Sequence, residues 1–321
     1  MNPIDFTKDF SEDEPSDDLV RQQSWPCDRA AELELTIDVG RIAVDLVTGG
    51  DEVRVEVRHD PAAGGAVAQG IGGLMSWLSS SGAGAQLGAG FGIDPERLAA
   101  DAVRAAEITW SDGGRRLVVR SSQELPLRVV PLAVTVTAPA GSRLAARAGA
   151  GDVTVTGTAG WAAVRTGSGR VQAGDVDGDA DVTTGSGDVD LGAVAGRGRV
   201  RTGSGGVRIA ALRGAAEVRA SSGDVHVEEV SADHGVRTRS GSITVRDASA
   251  GRLDLTTGSG DLTVGVHGGV AAQLDLSSGS GRARSELDVG AVAPEGSGAL
   301  TVKGRTGSGD VLVRRAAPVP A

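Results

Sequence analysis

Apolar and polar residues alternate along most of this chain. The alternation is interrupted at a fixed interval by variants of the string Thr-Gly-Ser-Gly, then Asp, Arg or Gly, then an apolar-x-apolar triplet. The central residue of successive copies is Ala150, Ser168, Ser186, Ser204, Ser222, Ser240, Ser259, Ser280 and Ser308. The first five steps are 18 residues, and the later ones are 19, 21 and 28. A constant period of this size marks a stacked architecture, in which each repeat is one supersecondary unit covered only by its neighbours. One strand per repeat directs inward the pairs Val153/Val155, Val171/Ala173, Val189/Leu191, Val207/Ile209, Val225/Val227, Ile243/Val245, Leu262/Val264 and Val311/Val313. A second aligns Val164, Val182, Val200, Val218 and Val236, again 18 apart. The predicted class is all-β: a single-stranded, β-helix-like β-solenoid of ~18-residue coils, with a small helical insertion. Nine coils stacked ~4.8 Å apart give a rod roughly 40 Å long. Left-handed hexapeptide helices also use 18 residues per coil but need an aliphatic residue every six, and the series Val164, Arg170, Val176, Val182, Asp188 fails that test.

The pattern predicts three strands ahead of the array, carrying Leu33/Leu35/Ile37/Val39, Ile42/Val44/Leu46 and Val53/Val55/Val57 and punctuated by Gly40 and Gly49-Gly50. Residues 61–93 then contain no charged residue. Ile71, Leu74, Met75 and Leu78, with Trp77 beside them, fall at helical spacing within this Gly/Ala/Ser-rich stretch. Asp94-Pro95-Glu96 is a helix start, and a helix to about Glu107 is predicted. Strands resume at 108–110, 117–120 and 129–137, before a turn at Pro139-Ala140-Gly141. The domain reading is a disordered acidic tail (1–30), the solenoid (31–60 and 108–315), the insertion with its helix (61–107) and a disordered C-terminus (316–321).

Composition agrees with a thin core. Gly numbers 50 of 321 residues, aromatics are 2% and Tyr is absent, so Val, Leu, Ile and Ala must supply the burial. The Gly after each central Ser sits where a corner needs positive φ, and the preceding hydroxyls (Thr166, Thr184, Thr202, Thr238, Thr257, Thr306) can bond corner backbone groups. The formal net charge is −10, of which residues 1–30 supply −5, eight acids against three bases. The remainder gives no general drive toward nucleic acid or anionic lipid. Cys27 is the only cysteine, which excludes an internal disulfide and fits a reducing compartment. Neither a signal-peptide pattern nor an 18-residue apolar span is present, so the expected address is cytoplasmic, with surface association left open.

The run Ala148-Gly149-Ala150-Gly151-Asp152-Val153-Thr154-Val155 follows the turn Val136-Thr137-Ala138-Pro139-Ala140-Gly141-Ser142 and leads into serial Thr-Gly-Ser-Gly-Asp-Val units. Together with Ala271-Ala272-Gln273-Leu274-Asp275-Leu276, Gly281-Arg282 and Arg305-Thr306-Gly307-Ser308-Gly309-Asp310-Val311, it resembles the bacterial putative-adhesin family, a β-strand-repeat domain of unknown function. The resemblance covers about residues 32–60 and 108–315, and the uncharged insertion departs from the family pattern. It implies a solenoid of short strands without established catalytic residues, and its adhesin label refers to surface binding.

Candidate chemistry is sparse. The run Asp175-Val176-Asp177-Gly178-Asp179-Ala180-Asp181 has neither the Gly nor the Glu of a calcium loop at the required positions, and reads as a solvated edge. The slot holding Asp152, Asp188, Asp224, Asp261 and Asp310 is filled elsewhere by Arg170, Gly206, Ser242 and Arg282, which favours corner capping over a repeated metal site. His226 lies near Asp224 and Glu228, but a surface histidine between carboxylates is the commoner case. The Gly-Ser-Gly corners are not nucleophile elbows, and no phosphate loop is present. No catalytic, cofactor or metal residue is assigned, and no cofactor is expected. Two interaction candidates remain. One is an outward column of Arg165, Arg201, Arg219 and Arg237, interrupted by Thr183, which suits a polyanion but is partly neutralised by Asp181 and Glu217. The other is Ile71, Leu74, Met75, Trp77 and Leu78, which can dock on a membrane, on a partner or, preferably, on the solenoid's open end. Residues 162–321 lack aromatics, which argues against nucleic-acid or sugar stacking by the array. The expected role is a non-enzymatic structural or interaction protein with an unknown protein or surface polymer as partner. The alternatives are a β-helical carbohydrate-active enzyme and a scaffold that self-assembles through its ends.

Overall fold

The computed structural model describes residues 19–60, 62, 95–287 and 300–317. Apolar residues of every coil line up behind one another, as the spacing predicts. Val164, Val182, Val200, Val218, Val236 and Leu255 are consecutive partners in one parallel sheet, here called sheet B. Val153, Val171, Val189, Val207, Val225, Ile243 and Leu262 do the same in the other, sheet A. Both files belong to one continuous hydrophobic core.

The strands before the array are β1 (Val20–Pro26), β2 (Glu32–Val47), β3 (Glu52–His59), β4 (Glu107–Ser111), β5 (Arg116–Arg120), β6 (Leu132–Pro139), β7 (Arg143–Ala150) and β8 (Val153–Ala159). The array comprises β9 (Trp161–Ser168), β10 (Val171–Val176), β11 (Ala180–Ser186), β12 (Val189–Val194), β13 (Gly198–Ser204), β14 (Val207–Leu212), β15 (Ala216–Ser222), β16 (Val225–Val230), β17 (His234–Ser240), β18 (Ile243–Ala248), β19 (Arg252–Ser259) and β20 (Leu262–Val266). It is followed by β21 (Ala272–Ser278), β22 (Ala283–Ser285), β23 (Leu300–Ser308) and β24 (Val311–Arg315). A single helix among the described residues, α1, runs Pro95–Ala105, so Glu107 opens a strand and does not close the helix.

The corners explain the period. Gly169, Gly187, Gly205, Gly223, Gly241, Gly260 and Gly309 have φ between +133° and +146°. A Cβ at any of them would lie 2.0–2.3 Å from the corner carbonyl oxygen of the adjoining coil. Only Gly meets both conditions. The inward threonines tie each corner to the one before: Thr166 Oγ1 donates to the Gly151 carbonyl at 3.1 Å, Thr257 to Gly241 at 2.8 Å and Thr306 to Gly260 at 2.9 Å. The aspartate slot caps corners forward. Asp152 Oδ1 accepts from Arg170 N at 2.8 Å, Asp188 from Gly206 N at 2.9 Å, Asp224 from Ser242 N at 2.8 Å and Asp261 from Asp310 N at 2.8 Å. The Gly206 amide bond is the main reason the Asp188 carboxyl titrates below its usual range. The acidic run does the same at the opposite corner, where Asp175 caps Ala193 N and Asp179 caps Arg197 N.

Both ends depart from simple succession. Two strands expected at 33–39 and 42–46 are one strand, β2, which bends at Gly40 (φ +128°) so that its first half joins sheet B and its second half sheet A. β2 sits between β5 and β7 in sheet B, and between β6 and β8 in sheet A. At the other end, β23 lies between β19 and β21 and β24 between β20 and β22. Ser308 therefore stacks on Ser259, and the last two coils are reversed relative to chain order. Burial gives the reason. Leu300 and Val302 of β23 are fully buried, whereas Ala272, Leu274 and Leu276 of β21 are half-buried and occupy the edge. The added coils lengthen the rod to roughly 55–60 Å at ~4.8 Å per strand.

The acidic tail was expected to run to residue 30, but β1 already pairs antiparallel with β3 from Val20 onward. Its alternating residues fit the edge of sheet A, and Trp25 stacks on Trp110 of β4 with ring centres 5.5 Å apart. α1 presses Ala99, Ala102 and Val103 inward at this end, and Arg21 caps its C-terminal side by donating to the Ala106 carbonyl at 2.7 Å. The N-terminal end of the core is thus closed by α1, β1, β4 and the paired indoles.

Two expectations follow. Gly205→Ala should lower unfolding stability by roughly 2–4 kcal/mol, from strain plus overlap with the neighbouring corner. Gly206→Ala, whose Cβ would meet nothing closer than 3.7 Å, should stay within about 0.5 kcal/mol of the parent; urea titration separates the two. Deleting residues 183–200 should leave a folded protein with a modestly lower melting temperature, whereas deleting nine residues from the same place should abolish the cooperative transition, as read by circular dichroism.

Candidate functional site

Strand alternation points every second residue of sheet B outward, and the register converts single arginines into a ladder. Arg147, Arg165, Thr183, Arg201, Arg219 and Arg237 are successive partners across β7, β9, β11, β13, β15 and β17. The four expected arginines are brought together, with Thr183 as the expected interruption. Arg147 was missed, although it lies one 18-residue step before Arg165. Arg305 continues the column beyond Thr256, and no spacing rule finds it, because its coil is inserted out of chain order.

Partnering divides the ladder. Glu217 binds Arg219 directly and approaches Arg199 at 3.9 Å. Arg305 stands 3.8 Å from Asp275. Arg147, Arg165, Arg201 and Arg237 have no ion pair or hydrogen bond among the described residues, and all but the half-exposed Arg201 are exposed. At the N-terminal margin Glu34 is held between Arg120 at 2.9 Å and Arg116, which keeps its carboxyl below the usual range. Two residues further along the strands, Gly149, Gly167, Gly185 and Gly203 form a second outward column. A Cβ at any of them would lie 2.4–2.5 Å from a carbonyl oxygen of the adjoining coil. The arginines therefore flank a track of bare backbone, which Ser221 and Arg239 close at its far side.

The outer face of sheet A differs. A groove of about 540 Å³ is lined by Thr154, Gln172, Asp190, Arg208, His226 and Glu228, among others. Its charges are spent on one another: Arg208 reaches Asp190 at 3.4 Å, His226 Nε2 meets Glu228 at 2.7 Å, and Arg246 meets the same carboxylate at 3.1 Å. Asp224 faces away from His226 and caps Ser242, so the expected trio reduces to a histidine–glutamate pair. Among the described residues no group of three or more His, Cys, Asp or Glu has a metal-binding arrangement. Ile71, Leu74, Met75, Trp77 and Leu78 lie outside the described residues.

His234 is the one titratable side chain in the array's core, 4% exposed, and sequence spacing placed it nowhere in particular. It follows Ala180, Gly198 and Ala216 in one inward column, whose small residues leave room for its ring. Neither ring nitrogen has a hydrogen-bond partner. Burial lowers its pKa to about 4, against a weaker upward pull from Asp233. The unfolded chain then binds more protons between about pH 6.5 and pH 4. Folding stability is complete above that window and lost as the pH falls through it, by an amount on the order of a few kcal/mol. His234→Leu should flatten the melting-temperature profile across this window and leave the steeper loss below pH 4 unchanged.

The fold and this outer face define a β-solenoid with display columns and no assembled catalytic cluster among the described residues. The chain belongs to the Toastrack DUF4097 family, which matches residues 131–314. Solved structures similar to it include a putative adhesin from Bacteroides fragilis (12% identity, TM-score 0.41, covering 92% of this chain and 96% of that one). A putative adhesin from Parabacteroides merdae (9%, 0.28, 92% and 97%) and a putative cell adhesion protein from Clostridium sporogenes (8%, 0.20, 92% and 99%) are further examples. No residue role is carried over from them. No curated protein matches the chain. No described helix is long and apolar enough to cross a membrane.

Proposed function

We propose that this chain is a non-catalytic binding scaffold that holds an extended polyanionic polymer along the outer face of sheet B. The observation that carries the reading is the ladder of Arg147, Arg165, Arg201 and Arg237, unpaired among the described residues and set beside a glycine track. Guanidinium groups fixed at ~4.8 Å steps offer donors for carboxylate, sulfate or phosphate groups. The side-chain-free track lets a chain-like ligand lie close to the backbone. The protein as a whole is acidic at −10, so binding rests on the local field and falls with salt once the Debye length shrinks to about 8 Å at physiological ionic strength. A non-catalytic role is further supported by the carboxylates of the corners, which hold backbone amides of neighbouring coils and are unavailable as a glycosidase pair.

The test is retention on immobilised heparin as a model polyanion. Replacing Arg147, Arg165 and Arg201 together with Ser should move elution to clearly lower salt, whereas replacing the paired Arg208 and Arg246 of sheet A should not. Equal elution of the triple variant and the parent would remove the proposal.

A further inference from the structure

The two ends of the solenoid are unlike. The N-terminal end is covered by α1 and by the stacked Trp25 and Trp110, and its outermost strand β1 ends in Pro26 and carries Arg21. At the C-terminal end the outermost strand of sheet B is β21, which pairs with β23 on one side only. Its inward residues Ala272, Leu274 and Leu276 pack against the core yet stay half-buried, because no described coil lies beyond them.

β21 lacks the devices that normally blunt an edge. It is seven residues long, Ala-Gln-Leu-Asp-Leu-Ser-Ser, without proline, lysine or a bulge, and its one charge, Asp275, points outward. Alternate backbone amides and carbonyls along its free side need a strand as partner, which a helix or a loop does not satisfy. The chain's own neighbouring sequence, 288–299, contains Gly290, Pro294, Gly296 and Gly298 and is a poor source of such a strand.

We propose that two copies of this chain join through their C-terminal ends, β21 of one pairing antiparallel with β21 of the other. The strand is self-complementary in that sense. With Leu274 opposite its own counterpart, Ala272 faces Leu276 on the core side, and Gln273 faces Asp275 on the outer side, where the amide donates to the carboxylate. Alternation then keeps all apolar residues on one face. The contact is isologous, and the closed N-terminal end offers no second equivalent edge, so assembly stops at two copies and does not run on into a filament.

Light scattering coupled to size exclusion, over a wide concentration range of the full chain, should give twice the monomer mass, falling to the monomer on dilution. In a Cys27→Ser background, Leu274→Cys should cross-link to itself under mild oxidation, while Gln23→Cys on β1 should not. Monomer mass at every concentration would overturn the proposal, as would mass that grows without limit or cross-linking through β1 alone. The parent chain's mass decides the matter even where a substituted edge fails to fold.

Discussion

The structure depends on a steric constraint repeated at every corner. A glycine with φ near +135° lies so close to the next coil's corner that a single Cβ would collide with its carbonyl oxygen. Coils can stack at that distance only if each spends the same number of residues between corners. Equal coil length aligns equivalent side chains, and alignment builds both the valine files of the core and the polar columns outside. Hydrogen bonding reinforces the constraint in both directions, through threonine hydroxyls reaching back and aspartate carboxylates reaching forward. The alternation of Asp with Arg and Gly in the corner slot follows from this. One carboxylate caps the amide of the next coil, and that coil's own slot residue is free to be something else.

A solenoid so built is uniform along its length and vulnerable at its ends, where a coil has a neighbour on one side only. This chain treats both ends by insertion. The first coil, β2, and the last, β23–β24, are each slotted one layer inward, so that their apolar residues are covered on both sides. The remaining outer layers then differ: a helix and two indoles at one end, an uncapped strand at the other. An asymmetric rod with one adhesive end is a consequence of where the short, half-buried β21 is left.

The outer faces show how one scaffold separates structural from available charge. On sheet A the acidic and basic side chains of adjacent coils neutralise one another across the groove. On sheet B the glycine column removes competing side chains, and most of the arginine column keeps its charge uncommitted. A ladder of this kind costs little stability, because exposed arginines lay their stems on the sheet and keep their heads in water. His234 is the exception inside the core, tolerated because three small residues precede it in its column.

Period, class, corner residues and the inward valines were all legible in the sequence, because a residue's place in a solenoid depends on its distance along the chain modulo one coil. The arginine column was legible for the same reason, and Arg147 was one more step of the same count. What the count cannot reach is any place where spatial neighbours are not chain neighbours. The insertion of β2 and of β23–β24, the joining of two predicted strands into one across Gly40, the start of β1 inside a tail that reads as acidic, and Arg305's position in the ladder were decided by competition for burial among distant segments. Whether a given arginine is neutralised was also a tertiary matter, set by which carboxylate the register placed beside it. Local spacing determines the coil; only packing at the ends determines the order in which coils stack and which edge is left bare.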